Sequence, residues 1–187
     1  MLLTGLLIPT YRQMLQTLDG LLGKAEEHGS KQTRNLLDAR LDDDMLPLSS
    51  QIRFAVYQAQ DAVFRLRDEA IPQWLTMIAA EGHEARSAAG SWDQVRRYIA
   101  DAQSFLATLP GDALDPAASR PITITLPDGM TFDLTGEQYV RDWALPQFYF
   151  HVVTAYAILR HHGVRLGKAD YVPHMFAYLR KGDAPAA

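Results

Sequence analysis

Apolar residues recur at intervals of three and four in three separate stretches of the chain, which is the period of an amphipathic α-helix. The first stretch predicts a helix from about Thr10 to His28, with Pro9 in its first turn. Its apolar stripe consists of Leu7, Tyr11, Met14, Leu15, Leu18 and Leu22. The following residues, 29–46, lose the period and predict a connecting segment with a short turn of helix.

The second helix is predicted to open at Pro47 and to end near Glu69. Arg53, Gln60 and Arg67 fall on the side opposite the apolar stripe. The stripe itself consists of Leu48, Ile52, Ala55, Val56, Ala59, Val63 and Leu66. This helix is therefore also predicted to be amphipathic.

The third helix is predicted to follow a capping-box pattern at residues 91–94 and to stop at Pro110-Gly111. Its apolar positions are Val95, Tyr98, Ile99, Ala102, Phe105, Leu106 and Leu109. The residues before it, 71–90, form a moderately helical run interrupted by Pro72 and Gly82, and we assign no regular element to them.

The period changes from helical to alternating on either side of Pro127-Asp128-Gly129. Alternation around such a turn is typical of a tight β-hairpin. A lone two-stranded hairpin is marginal in water, so it must pack on the helices. We therefore expect one set of its side chains to face the bundle, namely Ile122, Ile124, Leu126, Phe132 and Leu134.

The fourth and longest helix is predicted to start at a second capping-box pattern, residues 135–138, and to run to His162. Gly163 is expected to end it, and Pro146 to kink it. Residues 164–179 are expected to form an extended tail packed on the body of the protein. The C-terminal residues 180–187 are expected to be a disordered tail.

Together these elements predict an all-α four-helix bundle with a small β-hairpin inserted before the last long helix, in a single domain of residues 1–179. The chain has 187 residues, a net charge of −4 and no cysteine. Nucleic acid and anionic membranes are therefore unexpected partners, and thiolate chemistry is excluded. Because the sequence shows no export signal and no transmembrane segment, the cytoplasm is the expected location.

Residues 143–159 of the fourth helix are apolar almost all the way round. One side can serve the bundle core, but the other side also needs a cover. In a domain of this size we expect the cover to be the same helix of a second copy, packed about a two-fold axis. The sequence thus predicts a homodimer through the last long helix.

Two polar residues, Gln147 and His151, stand four apart on this apolar helix and share one side of it. Buried amide and imidazole groups must find hydrogen-bond partners or a metal. Gln51, Tyr57 and Gln58 of the second helix are the candidate partners, which predicts a polar pocket between the two helices. His151 is then either a core histidine satisfied by hydrogen bonds or part of a ligand site.

Residues 145–164 (LPQFYFHVVTAYAILRHHGV), followed by Leu166-Gly167-Lys168 and Asp170, carry a family resemblance. So do residues 36–41 (LLDARL), residues 44–48 (DMLPL) with Gln51, and the hairpin before Thr135-Gly136-Glu137. The chain resembles a bacterial domain-of-unknown-function family of the DinB/YfiT-like four-helix-bundle superfamily. The resemblance extends over nearly the whole chain to about Tyr171.

The resemblance implies a bundle that is often dimeric and whose metal-binding members use three histidines, one on the second helix and two spaced His-x-x-x-His on the fourth. His151 matches the second histidine of that pair, but Gln147 stands in the first position and no histidine occurs between His28 and His83. One histidine with neutral amides is a poor site for zinc or nickel. The implied metal site is therefore degenerate, with His151 as its one remaining ligand.

Three hypotheses follow for the function. The first is a small-molecule-binding or accessory bundle with a pocket around Gln51, Gln147 and His151. The second is a divalent-metal-dependent hydrolase or thiol transferase in which His151 is a metal ligand. The third is a structural or interaction protein in which His151 serves only the core.

Overall fold

The structure, a computed structural model, describes residues 2–29 and 35–180. Its helices and strands are α1 (Leu3–Gly29), α2 (Leu48–Arg67), α3 (Gln73–Glu84), α4 (Trp92–Ala107), β1 (Pro121–Thr125), β2 (Thr131–Thr135), α5 (Gly136–Gln138), α6 (Leu145–His161) and α7 (Lys168–Tyr171). Three short 3₁₀ segments, Leu36–Asp38, Asp115–Ala117 and Pro173–Tyr178, and one π-helical segment, Tyr139–Ala144, complete the regular structure.

Helix α1 begins at Leu3, earlier than the predicted start near Thr10, so that Pro9 lies inside the helix and not in its first turn. The early start has a distant cause. The backbone N–H of Thr4 donates to the carboxylate of Asp115 at 2.8 Å, and the Thr4 hydroxyl accepts from a backbone N–H of the same loop. Asp115 thus supplies the helix cap that the local sequence lacks.

Helix α2 contacts α1, α3, α4 and α6, so it has protein on nearly every side. The polar side predicted for this helix is therefore not solvent-facing. Gln60 is buried, and Arg53 is only 1% exposed, while Arg67 at the end of the helix remains partly exposed. The sequence pattern identified the second face correctly, but it could not show that α3 and α4 cover that face.

The weakly helical run after α2 is a full helix, α3, in addition to the four that the sequence predicted. It packs closely on α2 at Gly82, where a Cβ atom would lie 2.8 Å from the ring of Phe54. The hydroxyl of Ser50 also donates to the Gly82 carbonyl at 2.6 Å. Glycine therefore allows the two helices to approach closely at this point.

The guanidinium of Arg53 is the centre of a buried polar network between α2, α3 and α4. It donates to Glu81 at 3.2 Å, to the carbonyl of Ala89 at 3.1 Å and to the side chain of Gln94 at 3.2 Å. It also donates to the hydroxyl of Ser49. These bonds offset the lost hydration of a charge that is fully inside the protein.

The predicted hairpin is present, and its strands pair with Ile122 opposite Leu134 and Ile124 opposite Phe132. Ile122 and Ile124 are buried, and Leu126 and Leu134 are half-buried against the core. Phe132 differs from the prediction because it is 42% exposed. Its ring lies beside that of Trp143, with the two ring centroids 6.4 Å apart.

The last long helix begins at a capping box on Thr135, as predicted, and its regular part ends at His161. Directly before Pro146, where a kink was predicted, the regular helix is interrupted by the π-helical segment, in which the N–H of Leu145 bonds the carbonyl of Val140. The wider turn accommodates a proline that has no N–H of its own and whose ring crowds the preceding turn.

The segment after this helix differs from the predicted extended tail. It forms the short helix α7 and the 3₁₀ segment Pro173–Tyr178. Most of the tail predicted to be disordered, residues 181–187, lies outside the described residues. Within the described part of the chain, no helix is both long enough and apolar enough to cross a bilayer.

Replacing Arg53 with methionine should lower the free energy of unfolding by about 3 kcal/mol, because Glu81, Ser49 and the Ala89 carbonyl lose their shared donor. Chemical denaturation of the purified variant measures this change. Arg67→Met on the same helix is the matched control. It breaks only a partly exposed ion pair with Glu69 and should change stability by less than about 1 kcal/mol. Equal effects of the two substitutions would contradict a structural role for the network.

Candidate functional site

Gln51 and His151 meet between α2 and α6. Nδ1 of His151 lies 2.9 Å from Oε1 of Gln51, and Nε2 of Gln51 donates to the carbonyl of Leu46 at 3.2 Å. The second bond fixes which end of the amide faces the histidine. Since an amide oxygen only accepts, Nδ1 of His151 carries the proton and Nε2 is left with a lone pair.

His151 is neutral in this environment. Burial lowers the pKa of its imidazole from 6.5 to about 4. Among the described residues no hydrogen bond reaches its Nε2. The site therefore presents one uncharged nitrogen acceptor, which can receive a hydrogen bond or bind a metal ion.

Two phenylalanine rings border the imidazole. Phe54 of α2 lies with its ring centroid 5.1 Å from that of His151, and Phe150 of α6 lies at 5.4 Å in an edge-to-face arrangement. Phe54 also contacts the ring of His83, with the two centroids 4.9 Å apart. Phe54 is buried, whereas Phe150 is exposed, so the aromatic surroundings of His151 extend from the core to the surface.

The other predicted pocket residues, Gln147, Gln58 and Tyr57, make no hydrogen bond to His151 in the part of the chain that the structure describes. Gln147 lies one turn before His151 on α6, and Gln58 lies on α2; both are half-buried. Neither side chain has a hydrogen bond within the described part of the protein. Tyr57 does not bond His151, because its hydroxyl donates to Asp61 at 2.9 Å.

The residues at this site do not fit a tightly bound metal ion. Within residues 2–29 and 35–180, no group of three histidine, cysteine, aspartate or glutamate side chains could hold one. His151 supplies one imidazole, Gln147 supplies a neutral amide at a position where the resemblance implies a histidine, and Gln51 supplies a second neutral amide. Amide oxygens are weak ligands for zinc or nickel, so His151 is the one strong metal ligand among these three side chains.

A second polar cluster lies further along α2, and the sequence analysis missed it. Its members, which we call the Asp61 centre, are Asp61, Tyr57, Arg65, Tyr11 and Tyr139. Asp61 is only 2% exposed, and it accepts from the hydroxyl of Tyr57 and, at 2.6 Å, from Nε of Arg65. The ladder of Tyr57, Asp61 and Arg65 at intervals of four was the available signal in the sequence.

Comparison with known proteins identifies the family. A protein-family model described as a domain of unknown function (DUF1993) matches residues 3–172. The chain belongs to the DUF1993 family. Its fold is also that of a DinB family member protein from Shewanella denitrificans, with a TM-score of 0.73 and 29% sequence identity over 91% of each chain. No curated protein matches the chain.

These matches confirm the predicted fold for this DUF1993 protein, a DinB-like helical bundle with a small antiparallel hairpin before the last long helix. They also confirm its place among the domain-of-unknown-function families of the DinB-like superfamily.

The lowered pKa of His151 predicts how the free energy of unfolding changes at acid pH. The folded protein binds this proton only near pH 4, whereas an unfolded histidine binds it near 6.5. Protonation therefore favours the unfolded state as the pH falls from about 6.5 to about 4. Over that range His151 should lower the free energy of unfolding by about 3 kcal/mol.

The matched control is His151→Asn, which retains an N–H donor toward Gln51 but cannot titrate. We expect the stability advantage of the native protein over this variant to narrow as the pH falls through the same range. Urea denaturation of both proteins at several pH values measures this difference in the free energy of unfolding. NMR titration of the imidazole gives the pKa directly. An NMR pKa near 6.5 would contradict the neutral, buried state of His151.

Proposed function

We propose that this DUF1993 protein is a small-molecule-binding or accessory bundle in which the former metal position of the superfamily has become a neutral polar site. The observation that carries the proposal is the hydrogen bond between Gln51 and His151, which places the proton on Nδ1 and leaves Nε2 as a free acceptor, while burial keeps the imidazole uncharged. A catalytic metal site would instead bring several charged or imidazole ligands to one point.

The chemistry of the site favours an uncharged ligand with one hydrogen-bond donor and an apolar or aromatic body. Nε2 of His151 would accept the hydrogen bond, and the half-buried amides of Gln147 and Gln58 would supply further polar contacts on the facing helices. Phe54 and Phe150 offer ring faces beside the imidazole. A charged ligand would find no counter-charge among these side chains.

The alternative is a divalent-metal-dependent hydrolase or thiol transferase that uses His151. One feature favours it, namely that Nε2 is unprotonated and unbonded, which is the state of a histidine that binds a metal. Zinc or nickel would be the expected ion. The two proposals differ in metal content, which can be measured without knowing any substrate.

Elemental analysis for zinc, nickel, iron and manganese should find well under one metal ion per chain in protein purified without chelator or histidine tag. The double variant Gln51→His, Gln147→His restores the three-histidine pattern and should bind close to one zinc or nickel ion, because three imidazoles then converge. Gln147→His alone, which provides only two imidazoles together with His151, is the matched control and should not bind metal at stoichiometry.

A near-stoichiometric metal in the native protein that disappears in His151→Ala would overturn the proposal in favour of the metal-dependent enzyme. If the double variant folds and binds no metal, Gln51, Gln147 and His151 do not share one site, and the proposed pocket is wrong.

We also propose that the protein is a homodimer through α6. The outer side of this helix carries Phe150 and Val153, which are 59% and 47% exposed. Pro146 lies on the same side, one turn before Phe150. An isologous contact between two copies of α6 would remove these side chains from water without leaving a charge unpaired.

Light scattering coupled to size exclusion should give about twice the 20.9 kDa mass of one chain at micromolar concentration. Val153→Glu should shift the protein to the monomer, because it would place two like charges across the two-fold axis. Met77→Glu on α3, which is equally exposed, is the control and should remain dimeric. A monomeric native protein would rule the proposed dimer out.

A further inference from the structure

The hydroxyl groups of Tyr11 and Tyr139 are buried in the bundle without a hydrogen-bond partner among the described residues. Both side chains are completely inaccessible to solvent. A buried hydroxyl that makes no hydrogen bond loses its hydration without compensation, and native proteins rarely retain two of them in one place. The two hydroxyls therefore require an explanation.

Both hydroxyls lie in the neighbourhood of Asp61. Tyr139 belongs to the π-helical segment that packs on α2, and Tyr11 packs on α6 through an edge contact with Phe148 at 4.6 Å. Burial raises the pKa of both phenols well above the usual value, and the negative charge of Asp61 raises it further. Both phenols are therefore neutral donors close to a carboxylate.

Asp61 has unused capacity to accept hydrogen bonds. Each of its two oxygens receives one bond, from Tyr57 and from Arg65. A carboxylate offers about four acceptor positions, so about two remain. The centre thus contains two hydroxyls and one carboxylate whose hydrogen-bonding capacity is incompletely used.

The net charge of the Asp61 centre determines what kind of molecule could bind to the two hydroxyls and the carboxylate. Asp61 and Arg65 already form an ion pair, so the buried cluster is neutral. An added cation or anion would leave an unbalanced charge inside the bundle, at a high free-energy cost. The missing partner must be uncharged and must both donate and accept hydrogen bonds, and water is the smallest molecule that does so.

We propose that the Asp61 centre is an internal water site, in which one water molecule accepts hydrogen bonds from the hydroxyls of Tyr11 and Tyr139 and donates one to Asp61. This site is separate from the one at His151 and does not depend on the proposed function. Arg65 is the member of the centre that reaches the surface, because its side chain is 31% exposed and also lines a surface groove of about 200 Å³.

The sign of a stability change tests the proposal. If a water molecule satisfies the hydroxyls, Tyr11→Phe and Tyr139→Phe each remove a made hydrogen bond, and the folding equilibrium constant should fall about five-fold. In the double variant the folding equilibrium constant should fall by less than the product of the two single effects, because both hydroxyls bind the same water molecule. Tyr178→Phe, whose ring is exposed, is the control and should have no effect.

A crystal structure of the native protein should show one ordered water within about 3 Å of both phenol oxygens and of an Asp61 oxygen. Either phenylalanine variant being more stable than the native protein would overturn the proposal, because it would mean that the hydroxyl had no partner. Direct bonds from the phenols to Asp61 with no water between them would overturn it as well.

Discussion

The burial of α2 on nearly all sides is the constraint on which the rest of the structure depends. A helix enclosed on nearly every side has little solvent-facing surface for its polar residues, so those that are buried must be satisfied inside the bundle. Gln51, Arg53 and Asp61 are all almost completely buried on this one helix. Each has a separate set of partners, drawn from a different neighbouring helix or from α2 itself.

Arg53 and Gln51 differ in the hydrogen-bonding positions that their networks leave open. Arg53 is surrounded by acceptors and serves to hold α2, α3 and α4 together. Gln51 satisfies one nitrogen of His151 and leaves the other free, and the proposed ligand contact is at this nitrogen. A polar network that is complete stabilises a fold, whereas one with an open position can take part in binding.

The periodic helices, the hairpin and the capped start of the last helix were predictable because each rests on local pattern or local capping chemistry. The cap of α1 by Asp115 could not be predicted from local sequence, because it joins residues more than a hundred positions apart. Helix α3 has a weak pattern of its own and is stabilised by packing at Gly82. At the site, polar residues on two apolar helices predicted the pairing of Gln51 with His151, but the pattern could not predict that the Tyr57 hydroxyl would bond Asp61 instead.

The π-helical segment before Pro146 has a consequence for the rotational phase of the last long helix. Tyr139 and His151 are twelve residues apart, which in an uninterrupted α-helix would place them about 120° apart around the axis. A single π turn absorbs one extra residue and reduces that difference to about 20°. Both polar centres can therefore face α2 from one helix, and a relative lacking one residue in this segment would reach the same alignment with a regular α-helix.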